Sequence, residues 1–153
     1  MQFSTKEDIE APIEDVFAML SEFDQFERSA IRRGIEVQRI GTQTGKGMAW
    51  NARFLLRGKE RDMRLDLVEH DRPNGMQVDA HSDGIDGTMK LELVALSQQR
   101  TRMAIVLNLK PKTLPARLLI QSMKLAKANL TKRFKLKVAS YAKSLEDRHS
   151  RMA

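Results

Sequence analysis

The chain contains no cysteine among its 153 residues. Disulfide bonds, thiolate catalysis and zinc sites built on cysteine are therefore excluded. No uncharged stretch approaches the roughly 20 residues that a membrane-spanning helix needs. The first residues, MQFSTKEDIEAP, lack the apolar segment of a signal peptide. We therefore expect a cytoplasmic protein that does not cross a membrane.

Aromatic residues are also scarce, with one tryptophan, one tyrosine and six phenylalanines. Proteins that bind single-stranded nucleic acids stack successive bases on aromatic side chains. The formal net charge of +7 would suit a nucleic acid, but the chain has too few aromatic residues for this mode of binding. Nucleic acid is therefore the weakest of the partners that the charge suggests.

Acidic residues are absent from one long interval of the sequence. No aspartate or glutamate occurs between Glu92 and Glu146, whereas the same interval contains 12 lysines and arginines. One interpretation is a solvated, solubilising helix face. The other is a surface that meets anions such as lipid headgroups or an acidic partner.

The longest predicted element runs from Leu114 to Leu145. Its apolar residues recur at steps of three or four, which places them on one face of an α-helix. Pro111 and Pro115 stand at or before its first turn, where helices tolerate proline. The pattern predicts one long helix that packs on a sheet through Leu119, Met123, Ala126, Leu130, Phe134, Val138, Tyr141 and Leu145.

A second apolar ridge lies opposite that stripe on the predicted helix. It consists of Leu114, Leu118, Leu125 and Leu136. Cations flank it, and we predict that they form a surface for anions: Arg117, Lys124, Lys132, Lys135 and Lys143. Either a homodimer partner or the first helices could cover these leucines. A third interpretation is contact with an anionic membrane, since leucines edged by cations are typical of interfacial helices.

The first part of the chain predicts a strand and two short helices. Residues 2–10 alternate Phe3, Thr5 and Ile9 with polar residues, which is typical of a half-exposed strand. Pro12 then opens a helix up to Phe23. A second short helix follows from Asp24 and stops before Gly34.

Six further strands are predicted between Gly34 and the long helix. Each alternates apolar with polar residues, and glycine-rich turns separate them. The segment GTQTGKG is such a turn, because Met48 stands where a phosphate-binding loop needs a hydroxyl residue. The order is therefore β-α-α-β6-α, an α+β fold with antiparallel neighbours. We predict one domain over residues 1–148 and a polar tail over 149–153. The strands occupy residues 35–40, 50–57, 63–67, 76–80, 89–93 and 103–109.

The segment from Ile9 to Phe17, IEAPIEDVF, resembles the opening "I-x-A-P-x-E-x-V-F/W" of the START-like superfamily. This superfamily includes polyketide cyclases, lipid-transfer START domains and the major birch pollen allergen. The order of elements matches along essentially the whole chain. The resemblance implies a helix-grip fold, in which a bent seven-stranded antiparallel sheet wraps around the C-terminal helix and leaves an apolar cavity between them. It does not fix the function, since members differ in function.

No group of residues with the spacing of a catalytic or metal site is found. His70, His81 and His149 lie apart from one another, and none shares a helical face with a second ligand. The carboxylates Glu60, Asp62, Asp83 and Asp86 are interpreted as turn residues. We predict no metal and no cofactor, and the sequence does not decide whether the protein is an enzyme.

The inward positions of the predicted strands and helix are apolar, and several are methionines, which adapt to irregular shapes. We expect them to bind a hydrophobic or amphipathic small molecule or lipid, with Phe23 and Phe26 at the entrance. A cyclase or dehydratase acting on such a ligand is the first alternative, and a basic membrane-surface or nucleic-acid-binding protein is the second. The other predicted ligand-binding residues are Trp50, Phe54, Met63, Leu65, Met76, Val78, Met89, Leu91, Leu107, Leu119, Met123 and Leu130.

Overall fold

The computed structural model describes residues 1–152, which form seven strands and four helices. The elements follow the order β-α-α-β6 and then two helices. The strands are β1 (Gln2–Ile9), β2 (Glu36–Ile40), β3 (Ala49–Leu56), β4 (Lys59–Asp71), β5 (Gly75–Ser82), β6 (Ile85–Ser97) and β7 (Arg100–Pro111). The helices are α1 (Ile13–Leu20), α2 (Phe23–Arg32), α3 (Leu114–Leu125) and α4 (Lys127–Met152).

All seven strands belong to one antiparallel sheet with the order β1-β7-β6-β5-β4-β3-β2. Short hairpins join neighbours from β2 to β7, and β1 pairs with β7, so the first and last strands are adjacent. Register shifts interrupt β4 after Leu67 and β6 after Ala95; such bulges bend strands and increase their twist. The predicted α+β helix-grip fold is confirmed.

Side chains alternate between the two faces of the sheet, and we call the face that packs against the helices the inner face. On β4 the inner positions begin with Arg61 and continue with Met63, Leu65 and Leu67, of which Leu67 is fully buried. Across β3 the register places Trp50 opposite Leu65. The inner face is therefore apolar over most of its length, with a cation at one end of β4.

One end of the inner face is tightly packed, and we call it the closed end. Five large side chains there are fully buried: Ile9, Phe17, Leu67, Met103 and Leu145. The junction between β1 and α1 belongs to this end, where the buried Thr101 donates a hydrogen bond from Oγ1 to the carbonyl oxygen of Ala11 at 2.8 Å. Burial of these side chains fixes α1 and the second half of α4 on the sheet.

The prediction of a single long helix from Leu114 to Leu145 is wrong in one respect, because the helix is divided in two at Ala126. Ala126 has φ −104° and ψ 16°, outside the helical region, and its side chain is exposed although the apolar stripe assigned it to the interior. The two helices pack on different strands, α3 on β7 and α4 on β1. No glycine or proline marks the break. We therefore attribute it to tertiary packing and not to local propensity.

Helix α4 also extends further than predicted. Residues 149–152, which the sequence assigned to a polar tail, continue the helix. Arg148 donates to Glu22 at 2.7 Å, and His149 lies 3.5 Å from Asp15. These contacts to the α1 region hold the last turns in helical form. Ala153, the last residue of that predicted tail, lies outside the described residues.

One of the two edges of the sheet is β2, which has only five residues. Helix α2 lies alongside it. Arg39 of β2 binds two carboxylates of α2, Asp24 at 2.7 Å and Glu27. The short strand is therefore attached to α2 through charged side chains as well as to β3 through its backbone.

Candidate functional site

An apolar cavity of about 370 Å³ lies between the inner face of the sheet and helices α1, α2 and α4. It forms because β3 to β7 present alternate apolar side chains on the same side, while α2 and Tyr141 of α4 close over them. We call it the apolar cavity. Its wall consists of Leu20, Phe23, Phe26, Glu27, Ala30, Val37, Trp50, Leu65, Met76, Val78, Met89, Leu91, Ile105 and Tyr141.

Three side chains of this wall carry polar atoms: Glu27, Trp50 and Tyr141. Glu27 is neutralised by Arg39. Burial raises the pKa of the Tyr141 phenol well above its usual range, so Tyr141 remains a neutral hydrogen-bonding group at physiological pH. The indole Nε1 of Trp50 is buried and has no hydrogen-bond partner within residues 1–152. The wall thus offers apolar contact and few polar groups.

Aromatic pairs form the side of the cavity next to α2. The rings of Phe23 and Trp50 have centroids 5.6 Å apart, and those of Phe26 and Tyr141 are 5.9 Å apart. Phe26 is partly exposed, with 42% of its surface accessible. These distances are typical of favourable tilted aromatic pairs. The sequence predicted an entrance at Phe23 and Phe26, and both residues lie on this wall.

Eight of the residues predicted to bind the ligand lie together on the wall of the apolar cavity: Phe23, Phe26, Trp50, Leu65, Met76, Val78, Met89 and Leu91. The other six do not line it. They are half-buried and belong to the opposite half of the inner face or to the helices beside it: Phe54, Met63, Leu107, Leu119, Met123 and Leu130. The strands are up to 13 residues long, so residues at their two ends lie too far apart to share one cavity of this size.

Six wall residues were not among those predicted from the sequence. These are Leu20, Glu27, Ala30, Val37, Ile105 and Tyr141. Tyr141 belongs to the predicted packing stripe and Ile105 to the predicted strand 103–109, but nothing in the sequence showed that these positions face a cavity and not close-packed core. The position of Glu27 depends on how α2 sits on β2. That placement is a tertiary property.

A second cavity, of about 660 Å³, lies at the other end of the inner face beside the first turns of α3. We call it the α3 cavity. Gly84 is part of its lining; its φ of +76° is a conformation that favours glycine, and an added Cβ would collide with the Thr113 side chain. The lining residues are Arg57, Lys59, Arg61, Asp83, Gly84, Ile85, Thr113, Pro115, Ala116, Leu118 and Leu119.

Ser21 and His70 form a pair of the residue types that nucleophilic catalysis uses. Ser21 Oγ lies 2.9 Å from His70 Nε2 and also donates to the carbonyl oxygen of Phe17 at 2.8 Å. Because the single hydroxyl proton points to Phe17, His70 Nε2 donates to Ser21 and is not a base for it. Burial and the nearby Arg72 lower the pKa of His70. The pair connects α1 to β4 and lacks the arrangement of a nucleophile and its base.

The other two histidines pair with acidic side chains. His81 Nδ1 lies 2.9 Å from Asp86, and His149 contacts Asp15. Within residues 1–152 no three histidine, aspartate or glutamate side chains are grouped as metal ligands. The three histidines therefore lie in separate contacts.

The outward side of α3 carries leucines that nothing in the described residues covers. Leu114, Leu118 and Leu125 have 68%, 59% and 92% of their surfaces exposed. Arg117 and Lys124 lie beside them on the helix and form no ion pair within residues 1–152. Across the α3 cavity, the tip of the β3–β4 hairpin adds Leu55, which is 75% exposed.

The continuation of this surface on α4 is less uniform. Leu136 is 60% exposed, and Lys132 and Lys135 are exposed near it. Lys143, in contrast, binds Glu146 at 3.3 Å and Asp147 at 3.5 Å. Its charge is therefore locally compensated, and it contributes least to the predicted anion-binding surface. No helix among residues 1–152 combines the length and apolar character needed to cross a membrane.

Comparison with solved structures decides the fold. The crystal structure of TTHA0849 from Thermus thermophilus matches with a TM-score of 0.64 and 16% identity, covering 97% of this chain and 96% of that chain. Ara h 8.0201 matches with a TM-score of 0.60 and 14% identity, over 94% and 98% of the two chains. A START superfamily protein from Mycobacterium smegmatis matches with a TM-score of 0.53 and 12% identity, over 86% and 95%. The chain has the START-like helix-grip fold.

At these identities the likeness establishes the START-like fold and not a shared activity. No model of a known protein family matches the sequence, and no curated protein matches it. The apolar cavity lies between the sheet and helices α1, α2 and α4. What that cavity holds must be argued from its own residues.

Proposed function

We propose that the protein binds a hydrophobic or amphipathic small molecule in the apolar cavity. The observation that carries the proposal is the composition of the wall, in which apolar and aromatic side chains surround one neutral phenol, one indole and one ion-paired carboxylate. Small-molecule sites are typically cavities of about 300 to 1,000 Å³ with such walls. The volume of about 370 Å³ falls in this range.

Binding in such a site derives mainly from removing apolar surface from water, about 25 cal/mol for each Å². The few polar groups would orient the ligand within the cavity. Tyr141 offers a neutral hydroxyl, which both donates and accepts hydrogen bonds, at the edge next to α2. A ligand with one hydroxyl or carbonyl group and a larger apolar part fits this arrangement.

The alternative of a cyclase or dehydratase has less support. Catalysis of that kind needs a positioned acid or base in contact with the ligand. Glu27 is held by Arg39, and the raised pKa of Tyr141 keeps its phenol protonated, so that it is a weak acid and has no free phenolate to act as a base. The Ser21 and His70 pair does not line the apolar cavity. A binding protein is therefore the function that this geometry supports best.

Fluorescence titration tests the proposal, because Trp50 is the only tryptophan and lies on the wall. Fatty acids, sterols and aromatic polyketides should change its emission and displace an apolar dye. Val78→Phe, which fills part of the cavity from β5, should weaken both effects. Val94→Phe adds the same ring at an exposed position on the outer face of β6 and is the matched control. Equal titrations for Val78→Phe and wild type, or no response by wild type, would reject the proposal.

We further propose that the outward face of α3 meets anionic membranes when the ligand is exchanged. The supporting observation is the row of exposed leucines with unpaired cations beside it. Apolar side chains enter the boundary between headgroups and acyl chains, while each lysine or arginine near an anionic surface contributes about 1 kcal/mol. A homodimer that buries the same leucines is the competing outcome.

A further inference from the structure

Arg61 is a cation on the inner face of the sheet. It stands two residues before Met63 on β4, and the register places it opposite Phe54 of β3. Its Nε is buried and has no hydrogen-bond partner, and its guanidinium forms no ion pair within residues 1–152. A buried charged donor without a partner is costly to maintain. Arg61 was not assigned from the sequence, although extending the alternation of Met63 and Leu65 backwards places it inside.

The carboxylates next to Arg61 in sequence do not compensate it. Glu60 and Asp62 point to the outer face, where both contact Arg53, at 3.8 and 2.9 Å. Because side chains alternate along a strand, they lie on the other side of the sheet from Arg61. The inner position of Arg61 is therefore separated from its neighbouring negative charges.

The surroundings of Arg61 are positive as well. Arg57 and Lys59 also line the α3 cavity, against the single carboxylate of Asp83. The first residues of α3 complete the wall, and this 12-residue helix has no acidic residue in its first turn. The N-terminal end of a helix carries a partial positive charge. The cavity thus combines three cations and a helix N-terminus with the apolar side chains of Ile85, Leu118 and Leu119.

The α3 cavity and the apolar cavity lie along the same strands. On β4, Arg61 lines the first and Leu65 the second. At about 3.3 Å per residue, they are roughly 13 Å apart along the strand. Met63 lies between them on β4, and Leu107 of β7 is the register partner of Met89, which belongs to the wall of the apolar cavity. The inner face between the two cavities is therefore lined by apolar side chains.

We propose that the ligand is an anionic amphiphile, with a carboxylate or phosphate head bound to Arg61 in the α3 cavity and an apolar chain directed along the inner face to the apolar cavity. This inference rests on the proposed function. The planar guanidinium offers two parallel N–H groups that match the oxygens of a carboxylate or phosphate. Arg57 and Lys59 add positive charge at the mouth.

Calorimetric titration with matched ligands tests the inference. Decanoate, decyl phosphate and 1-decanol share a chain and differ in the head. Wild type should bind the two anions roughly tenfold or more tightly than the alcohol, since charged hydrogen bonds contribute about 1.5 to 3 kcal/mol. Arg61→Met should remove this preference, so that the three ligands bind with similar affinity. Arg64→Met is the matched control, because Arg64 lies on the outer face and binds Asp66 at 3.1 Å.

The remaining outcomes separate the two proposals. If wild type binds 1-decanol as tightly as decanoate, and Arg61→Met changes nothing, the anionic head is rejected while the apolar site stands. If none of the three ligands binds, the anionic amphiphile is rejected, and the fluorescence titration with sterols and aromatic polyketides decides the proposed function. If inorganic phosphate alone binds as tightly as decyl phosphate, the α3 cavity is a free-anion site, and the amphiphile is rejected. Thermal melting of Arg61→Met should equal or exceed that of wild type, which shows that the variant is folded.

Discussion

The two ends of the inner face differ in how they use apolar side chains. At the closed end, Ile9, Phe17, Met103 and Leu145 are fully buried. At the α3 end, Leu119, Met123 and Leu130 remain half-exposed although the same sequence periodicity placed them inward. Buried apolar surface stabilises a fold, whereas apolar surface that stays partly hydrated is available to a ligand or a membrane. The closed end therefore contributes more to the stability of the fold than the α3 end does.

The largest expected effect tests this division directly. Leu145→Ala at the closed end should lower the free energy of unfolding by about 2 to 5 kcal/mol, because it removes a fully buried side chain and leaves a cavity. Met123→Ala at the α3 end should cost much less, since Met123 is only half-buried. Urea unfolding of the two variants measures the difference. Equal losses would show that the α3 end is core after all.

A second prediction concerns the charged surface of the α3 end. Changing Lys124, Lys132 and Lys135 to glutamate should abolish co-sedimentation with vesicles that contain anionic lipid, since each lysine contributes about 1 kcal/mol near such a surface. High salt should weaken binding of wild type. Lys143→Glu is the matched control, because Lys143 is already paired with Glu146 and Asp147.

Two results would contradict membrane binding by α3. They are equal sedimentation of wild type and the triple variant, and no sedimentation of either protein at low salt. A wild-type dimer in analytical ultracentrifugation that Leu118→Ser and Leu125→Ser separate into monomers would assign the leucines to a second copy of the chain.

The smallest effect is a pH dependence located at the closed end. Burial, and then Arg72, lower the pKa of His70 from its ordinary value of 6.5. The unfolded state therefore takes up a proton at a higher pH than the folded state, so His70 stabilises the fold above about 6.5 and this contribution declines as the pH falls towards the folded pKa. His70→Gln should flatten the stability profile in that interval, and Arg72→Gln should flatten it only partly. An unchanged slope in His70→Gln would show that other groups set the profile.

Local patterns predicted the elements because each depends on neighbours in sequence. The alternation of Met63, Leu65 and Leu67 located β4, although the strand extends from Lys59 to Asp71 and not only over residues 63–67, and Pro12 marked the start of α1 to within one residue. The break at Ala126 could not be predicted, since alanine favours helix and only the packing of α3 and α4 on different strands explains it. Element type was therefore accessible from the sequence, but the division of the long helix was not.

The residues of the candidate site could also be predicted only in part. Periodicity shows which side chains point inward, and so it found Trp50, Val78 and Met89. It cannot show where inward side chains touch one another and where they leave a space, and so it also included Phe54 and Leu107. Arg61 was missed because a charge at the end of an apolar alternation is usually interpreted as the end of the strand's buried face.

The short edge strand β2 has a consequence for behaviour at high concentration. An unpaired strand edge is a template on which another molecule can add a strand, and long flat edges lead to aggregation. Here the β2 edge is five residues long, carries Glu36 and Arg39, and has α2 beside it. The opposite edge, β1, lies under α4. Neither edge therefore offers a neighbouring molecule a long, flat backbone to pair with, and we expect the protein to resist edge-to-edge aggregation at high concentration.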